Sequence, residues 1–176
     1  MMARSMYSFR KVTSGDLSLL RVWQSKPHVK KWWDANGSYD APALADRRVA
    51  RWIVSYERRP FAFMQDYTVH GWEDHHFANL PKGSRGIDQF IGEFSMVGAG
   101  HGKAFIKIRM EVIFCAGAPV IATDPHPDNT RAICVYEKLG FKFNGPVRET
   151  KWGLIQPMIA EFQQSEMQTS KEGLEN

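Results

Sequence analysis

Between residues 97 and 103 the chain reads Val97-Gly98-Ala99-Gly100-His101-Gly102-Lys103, and this glycine spacing restricts what the stretch can become. Without a Cβ, glycine reaches positive φ and lets backbone N–H groups turn toward a ligand unobstructed. A short strand-like run at 87–91 precedes the loop, between Gly86 and Gly92, and a helical pattern follows through about residue 116. Strand, glycine loop and helix together aim the positive end of a helix dipole at one spot, which is the layout of a pyrophosphate site. Lys103 and Lys107 stand one helical turn apart and are placed to meet a further phosphate. A glycine turn with two solvated lysines accounts for the same residues, so the spacing alone does not decide.

The rest of the chain fits an alternation of strands and helices. Residues 7–12 alternate apolar and polar side chains, and Thr13 or Ser14 caps a helix that stops near Pro27. The aromatic pair Trp32-Trp33 leads into a loop at 34–38, and a second helix is expected at about 42–49. Two strand-like runs, 51–56 and 60–67, joined by Glu57-Arg58-Arg59, predict an antiparallel hairpin. Residues 70–84 are polar and marked by glycine and proline, so they read as a long loop of the kind that carries function. A strand at 120–123, a helix ending at Gly140 and two closing strands complete the order. The fold class is α/β, or α+β: one mixed central sheet with helices on both faces.

At 176 residues the chain fits one domain, assigned to 1–162, with a polar tail at 163–176. No run approaches the roughly 20 apolar residues of a membrane span, and the first residues lack a long apolar run leading to a cleavage site. A cytoplasmic protein is expected, with no membrane partner. Cys115 and Cys134 fall in helical patterns among apolar neighbours and are read as reduced core residues. The net charge is +4, but five acids (Asp66, Glu73, Asp74, Asp88, Glu93) against two bases (Lys82, Arg85) leave the window 60–93 at −3. No basic stripe with interleaved aromatics appears, which argues against nucleic acid.

A second segment gives the glycine loop its meaning. Asp124-Pro125-His126-Pro127-Asp128-Asn129 leads into a helix ending Tyr136-Glu137-Lys138-Leu139-Gly140-Phe141. The order of the two segments resembles the GNAT superfamily of N-acetyltransferases. That resemblance implies a GNAT fold and acetyl-coenzyme A as acetyl donor, with Val97, Gly98, Ala99, Gly100, His101, Gly102 and Lys103 around the pyrophosphate. It implies that Asn129 binds the pantetheine arm and that the Tyr136 hydroxyl faces the departing sulfur as a general acid. Val97 departs from the family, whose loop commonly begins with Gln or Arg.

Within the superfamily the chain resembles the aminoglycoside 6'-N-acetyltransferases. The shared stretches are His28-Val29-Lys30-Lys31-Trp32-Trp33, the run from Pro60 to Tyr67, Arg85-Gly86-Ile87-Asp88-Gln89, Gly98-Ala99-Gly100-His101-Gly102 and Thr123-Asp124-Pro125. The likeness implies that Asp88 and an acid at Glu73 handle the acceptor's ammonium groups and the proton, and that Asp124 also binds substrate. It places Gln65, Tyr67, Trp32 and Trp33 on the acceptor wall. The acceptor is expected to be a small polycationic amine, and the protein a monomer or homodimer. Asp74-His75-His76 stand where the family carries tryptophans, so a siderophore-type acetyltransferase acting on hydroxylated lysine, another small-amine acetyltransferase and a non-catalytic coenzyme-binding module remain alternatives. His70, Glu73, His75 and His76 are too crowded on one loop for a metal site, and the reaction needs no metal.

Overall fold

The structure, a computed structural model, describes residues 6–33 and 39–162. The loop expected at 34–38 and the tail expected at 163–176 lie outside them. The strands are β1 (Tyr7–Lys11), β2 (Val49–Tyr56), β3 (Arg59–Thr68), β4 (Arg85–Ile91), β5 (Val120–Thr123), β6 (Lys142–Phe143), β7 (Arg148–Thr150), β8 (Gly153–Ile155) and β9 (Met158–Glu161). The helices are α1 (Leu17–Ser25), α2 (Pro27–Lys30), α3 (Ala41–Ala45), α4 (His101–Cys115) and α5 (Thr130–Lys138). One seven-stranded sheet runs β1-β2-β3-β4-β5-β9-β6, and β7 pairs with β8 as a separate hairpin. All pairings are antiparallel except β4 with β5, so the mixed sheet expected from the sequence is present.

Period-two alternation along β3 sorts its side chains between two cores. Ala62 and Met64 face α4, joining Phe105, Ile106, Met110 and Ile113. Phe63, one residue on, faces the opposite side with Leu20 and Trp23 of α1 and Val29 of α2. The Trp23 ring occupies the space above Gly92: a Cβ built on that glycine would lie 2.2 Å from the indole. The indole N–H donates to Glu93 at 2.7 Å, so α1 is fixed to the end of β4 by shape and by a hydrogen bond.

Asp66 points to the α4 face and is almost wholly buried. It accepts from Arg85 at 2.6 Å, from Arg109 of α4 at 2.8 Å and from the Trp52 indole at 2.9 Å. One carboxylate thereby joins β2, β3, β4 and α4. Burial alone would raise its pKa, but the two guanidinium groups and the indole hold it below the ordinary carboxylate value.

Several local expectations are corrected. The second helix ends at Ala45 rather than reaching 49, because Val49 already pairs with Tyr67 as the first residue of β2. The β2–β3 turn needs only Glu57 and Arg58, both at positive φ (47° and 69°), and Arg59 opens β3. Cys115 and Cys134 are exposed, not core: Cys115 ends α4, and Cys134 turns outward while Tyr136 two residues on turns inward. The β7–β8 hairpin and the single turn of α2, opened by Pro27, were not anticipated.

Truncating Asp66 strands two buried or half-buried guanidinium groups. Asp66→Ala is expected to lower unfolding free energy by about 3–5 kcal/mol in urea titration. Because the folded pKa is depressed, this stability is present above the unfolded carboxylate pKa and lost as pH falls through the folded one. A loss below about 1 kcal/mol, the scale of an exposed ion pair, would show that Asp66 is not the hub.

Candidate active site

β4 and β5 pair through only two positions, Arg85 with Ile121 and Gly86 with Ala122, and then separate. The separation opens a cleft of about 890 Å³ that passes through the sheet. Because consecutive β4 residues project to opposite faces, Asp88 enters the cleft from the α1 side and Gln89 from the α4 side. The Gly92 N–H bonds back to Phe61 on β3, so by alternation the N–H groups of Gln89 and Ile91 lie along the edge that β5 has left.

On the α4 side, Tyr136 is buried in α5 and its hydroxyl is hydrogen-bonded by the Gln89 side-chain amide. The Thr123 hydroxyl bonds the same oxygen. Burial raises the phenol pKa well above its ordinary value, so the group holds its proton. Asn129 caps α5, its side-chain oxygen accepting from the Ala132 N–H at 3.3 Å, and it lines the cleft.

The glycine loop meets the demands of a pyrophosphate. Gly98 and Gly100 sit at φ 81° and 85°, and a Cβ on either would meet nothing within 4 Å. Gly100 is the N-cap of α4 and no side chain caps that terminus, which leaves the first-turn N–H groups for an anion. Val97 and Gly102 line the cleft itself. Lys103 and Lys107 are exposed on α4. His101 turns inward: its Nδ1 lies 2.7 Å from the Tyr7 hydroxyl and its ring packs on Tyr56 and Phe61. Its side chain anchors the loop to β1 rather than facing a phosphate.

On the α1 side, Gln65 donates to Asp88 Oδ2 at 2.8 Å. Tyr67 lies flat over Gly86, where an added Cβ would fall 2.2 Å from the ring. Trp32 and Trp33 both line the cleft, Trp32 beside His126 and Trp33 packed edge-on against Phe90 and Phe63. Burial, then the nearby Asp124 carboxylate, push the Asp88 pKa up to about 7. Arg-Gly-Ile-Asp-Gln is therefore legible residue by residue: Arg85 binds Asp66, Gly86 admits Tyr67, Ile87 fills the core, Asp88 faces one side of the cleft and Gln89 the other.

The acidic window does not converge as its composition implied. Asp66 is spent on the opposite face, with Arg109 contributed from outside the window, and Glu93 is tied to Trp23 and Lys26. Glu73 and Asp74 are exposed and do not line the cleft. The loop instead supplies Trp72, His75 and His76 to the wall, and His76 Nε2 meets Asp124 Oδ2 at 2.6 Å. His70 turns away to the Leu80 carbonyl, so His70, Glu73, His75 and His76 do not share a centre. Gln89, Thr123 and Trp152 were not assigned roles from the sequence. Alternation from Asp88 was the available signal for Gln89.

A family model described as Acetyltransferase (GNAT) domain matches residues 12–148. The aminoglycoside N(6')-acetyltransferase type 1 of Klebsiella pneumoniae is 31% identical over 156 residues, covering 80% of this chain and 76% of that protein. A kanamycin resistance protein of Rhizobium radiobacter is 42% identical over 77 residues, covering 43% of this chain and 68% of that one. The crystal structure of aminoglycoside acetyltransferase AAC(6')-Ib with coenzyme A and kanamycin superposes with a TM-score of 0.79 at 28% identity, covering 94% of this chain and 99% of that chain. AAC(6')-Ib with ribostamycin and coenzyme A gives 0.82 at 29% identity, covering 92% and 97%.

Ionised Asp88 faces Asp124 in a poorly solvated cleft, so its charge destabilises the empty protein. Its folded pKa is raised above the unfolded one, so the penalty is absent below the unfolded pKa and grows as pH rises toward 7. Asp88→Asn is expected to raise Tm at pH 8, by about 2–4 °C for each kcal/mol relieved. The gain should shrink by pH 5, and an equal gain at both pH values would contradict the charge origin.

Proposed function

The chain belongs to the GNAT acetyltransferase family, and from that membership we propose that it transfers acetyl from acetyl-coenzyme A to a primary amine of a polycationic small molecule, the 6'-amine of an aminoglycoside. The observation that carries this reading is the meeting of Asp88 and Tyr136 across the opening between β4 and β5. One carboxylate serves the acceptor, and one phenol serves the donor.

Acetyl-coenzyme A supplies the activated acyl group as a co-substrate. The uncapped start of α4 and the open Gly98 and Gly100 receive its pyrophosphate, while Val97, Gly102 and Asn129 line the path of its arm. The acceptor arrives as a cation, drawn to Asp88 and Asp124 and walled by Trp32, Gln65 and Tyr67. Its amine must lose a proton before attack, and Asp88, with a pKa near 7, is a stronger base than an ordinary carboxylate. Glu73, exposed and outside the lining, is left without that role.

Attack places negative charge on the acyl oxygen, which the Gln89 and Ile91 N–H groups on the open edge of β4 are positioned to meet. Collapse expels a thiolate. Tyr136, whose oxygen accepts from the Gln89 amide, gives its O–H proton to that sulfur, and the proton shed by the new amide nitrogen restores the phenol. We place the reaction in the cytoplasm, where acetyl-coenzyme A is available; among the described residues no helix is long and apolar enough to cross a membrane.

Thiol release from acetyl-coenzyme A, measured against kanamycin, polyamines and hydroxylated lysines, tests the acceptor, and NMR of the product fixes the nitrogen. Turnover on kanamycin with acetyl at the 6' position is expected; coenzyme binding without turnover on any amine would refute the enzymatic reading. Tyr136→Phe is expected to lower kcat by about 10²-fold or more while coenzyme affinity stays within a few-fold. A comparable loss of coenzyme binding would make the phenol structural instead.

A further inference from the structure

The carboxylates Asp66, Asp88 and Asp124 are held in two different ways. Asp66 is bound by two guanidinium groups, which cancel its charge. Asp88 and Asp124 are each held at Oδ2 by one side chain that carries no fixed charge, Gln65 for the first and His76 for the second. A neutral tether fixes a carboxylate's orientation and leaves its charge available to a ligand, whereas an arginine tether consumes it.

His76 is built for that task. Its side chain is only 7% exposed, and its Nε2 lies 2.6 Å from Asp124 Oδ2, so Nε2 carries the hydrogen in this contact. Nδ1 is buried with no hydrogen-bond partner among the described residues, which suits a bare lone pair better than a stranded N–H. The ring is clamped: His75 stacks on it at 4.4 Å and 22°, Trp152 meets it edge-on at 5.3 Å, and Arg148 of the β7–β8 hairpin bonds the His76 carbonyl at 2.6 Å. Asp124 makes no other hydrogen bond among the described residues, and it lines the cleft.

We propose that His76 is a positioning residue of the acceptor site, whose Nε2–H holds one oxygen of Asp124 and thereby presents the other, with its charge intact, to an ammonium group of the acceptor. The proposal rests on the acetyltransferase reading for the identity of that acceptor, but the tether itself does not depend on it.

Two measurements separate the parts. Ring ¹⁵N shifts of His76 in the full chain, without substrate, should show the Nε2–H tautomer and change in Asp124→Asn; an Nδ1–H tautomer would overturn the tether whatever the enzyme acetylates. In kinetics with kanamycin, His76→Phe keeps the ring packing and removes the donor, so KM for kanamycin should rise about tenfold or more while KM for acetyl-coenzyme A and kcat hold within about twofold. His76→Gln, which restores a neutral N–H donor, should recover most of that loss. An unchanged kanamycin KM in His76→Phe, or a His76→Gln variant as impaired as His76→Phe, would overturn the proposal. If the wild-type protein turns over a different amine and not kanamycin, the aminoglycoside reading fails, and the same variants on that amine decide the role of His76.

Discussion

The early separation of β4 from β5 is the constraint on which the rest of the molecule depends. A parallel pair that continued past Gly86 and Ala122 would close the sheet and leave Asp88 and Gln89 on two unconnected surfaces. Opening it lets adjacent residues of one strand reach a single cleft from opposite faces. The opening also frees a row of backbone donors, which a folded protein tolerates only where a ligand or solvent will occupy them. Asp66 stabilises the sheet where the opening starts, since Arg85 leads β4 into the gap and Arg109 ties α4 to β3 beside it.

How the charges are distributed explains how a basic chain makes a site for cations. Asp66, with two arginine partners, holds the fold together, and Asp88 and Asp124, with an amide and an imidazole partner, face the cleft. Counting residues in a window cannot make that distinction. The net −3 of residues 60–93 pointed to a cation site, but for a partly mistaken reason: Asp66 and Glu93 belong to structure, Glu73 and Asp74 to the surface, and Asp124 enters from outside the window.

Much of the fold was legible because its signals are local. Alternation marked β1, two strand-like runs marked β2 and β3, Asn129 marked the start of α5, and the glycines marked the start of α4. The order of the two motifs carried the family resemblance. What escaped depends on contacts between distant segments. His101 reads as part of a phosphate loop, yet its partner is Tyr7. His76 reads as a departure on a polar loop, and only the approach of residue 124 gives it a purpose. The cysteines were read from their neighbours in sequence, but a helix sends side chains two positions apart to different faces.

The contact between Tyr7 and His101 joins positions 94 residues apart, and it couples the edge strand of the sheet to the first turn of α4. Among the described residues strand β1 pairs with β2 alone, so it is an edge of the sheet. A substitution that loosens β1 acts on the glycine loop from the far side of the sheet. Coenzyme affinity would then change while the acceptor side of the cleft is left as it was.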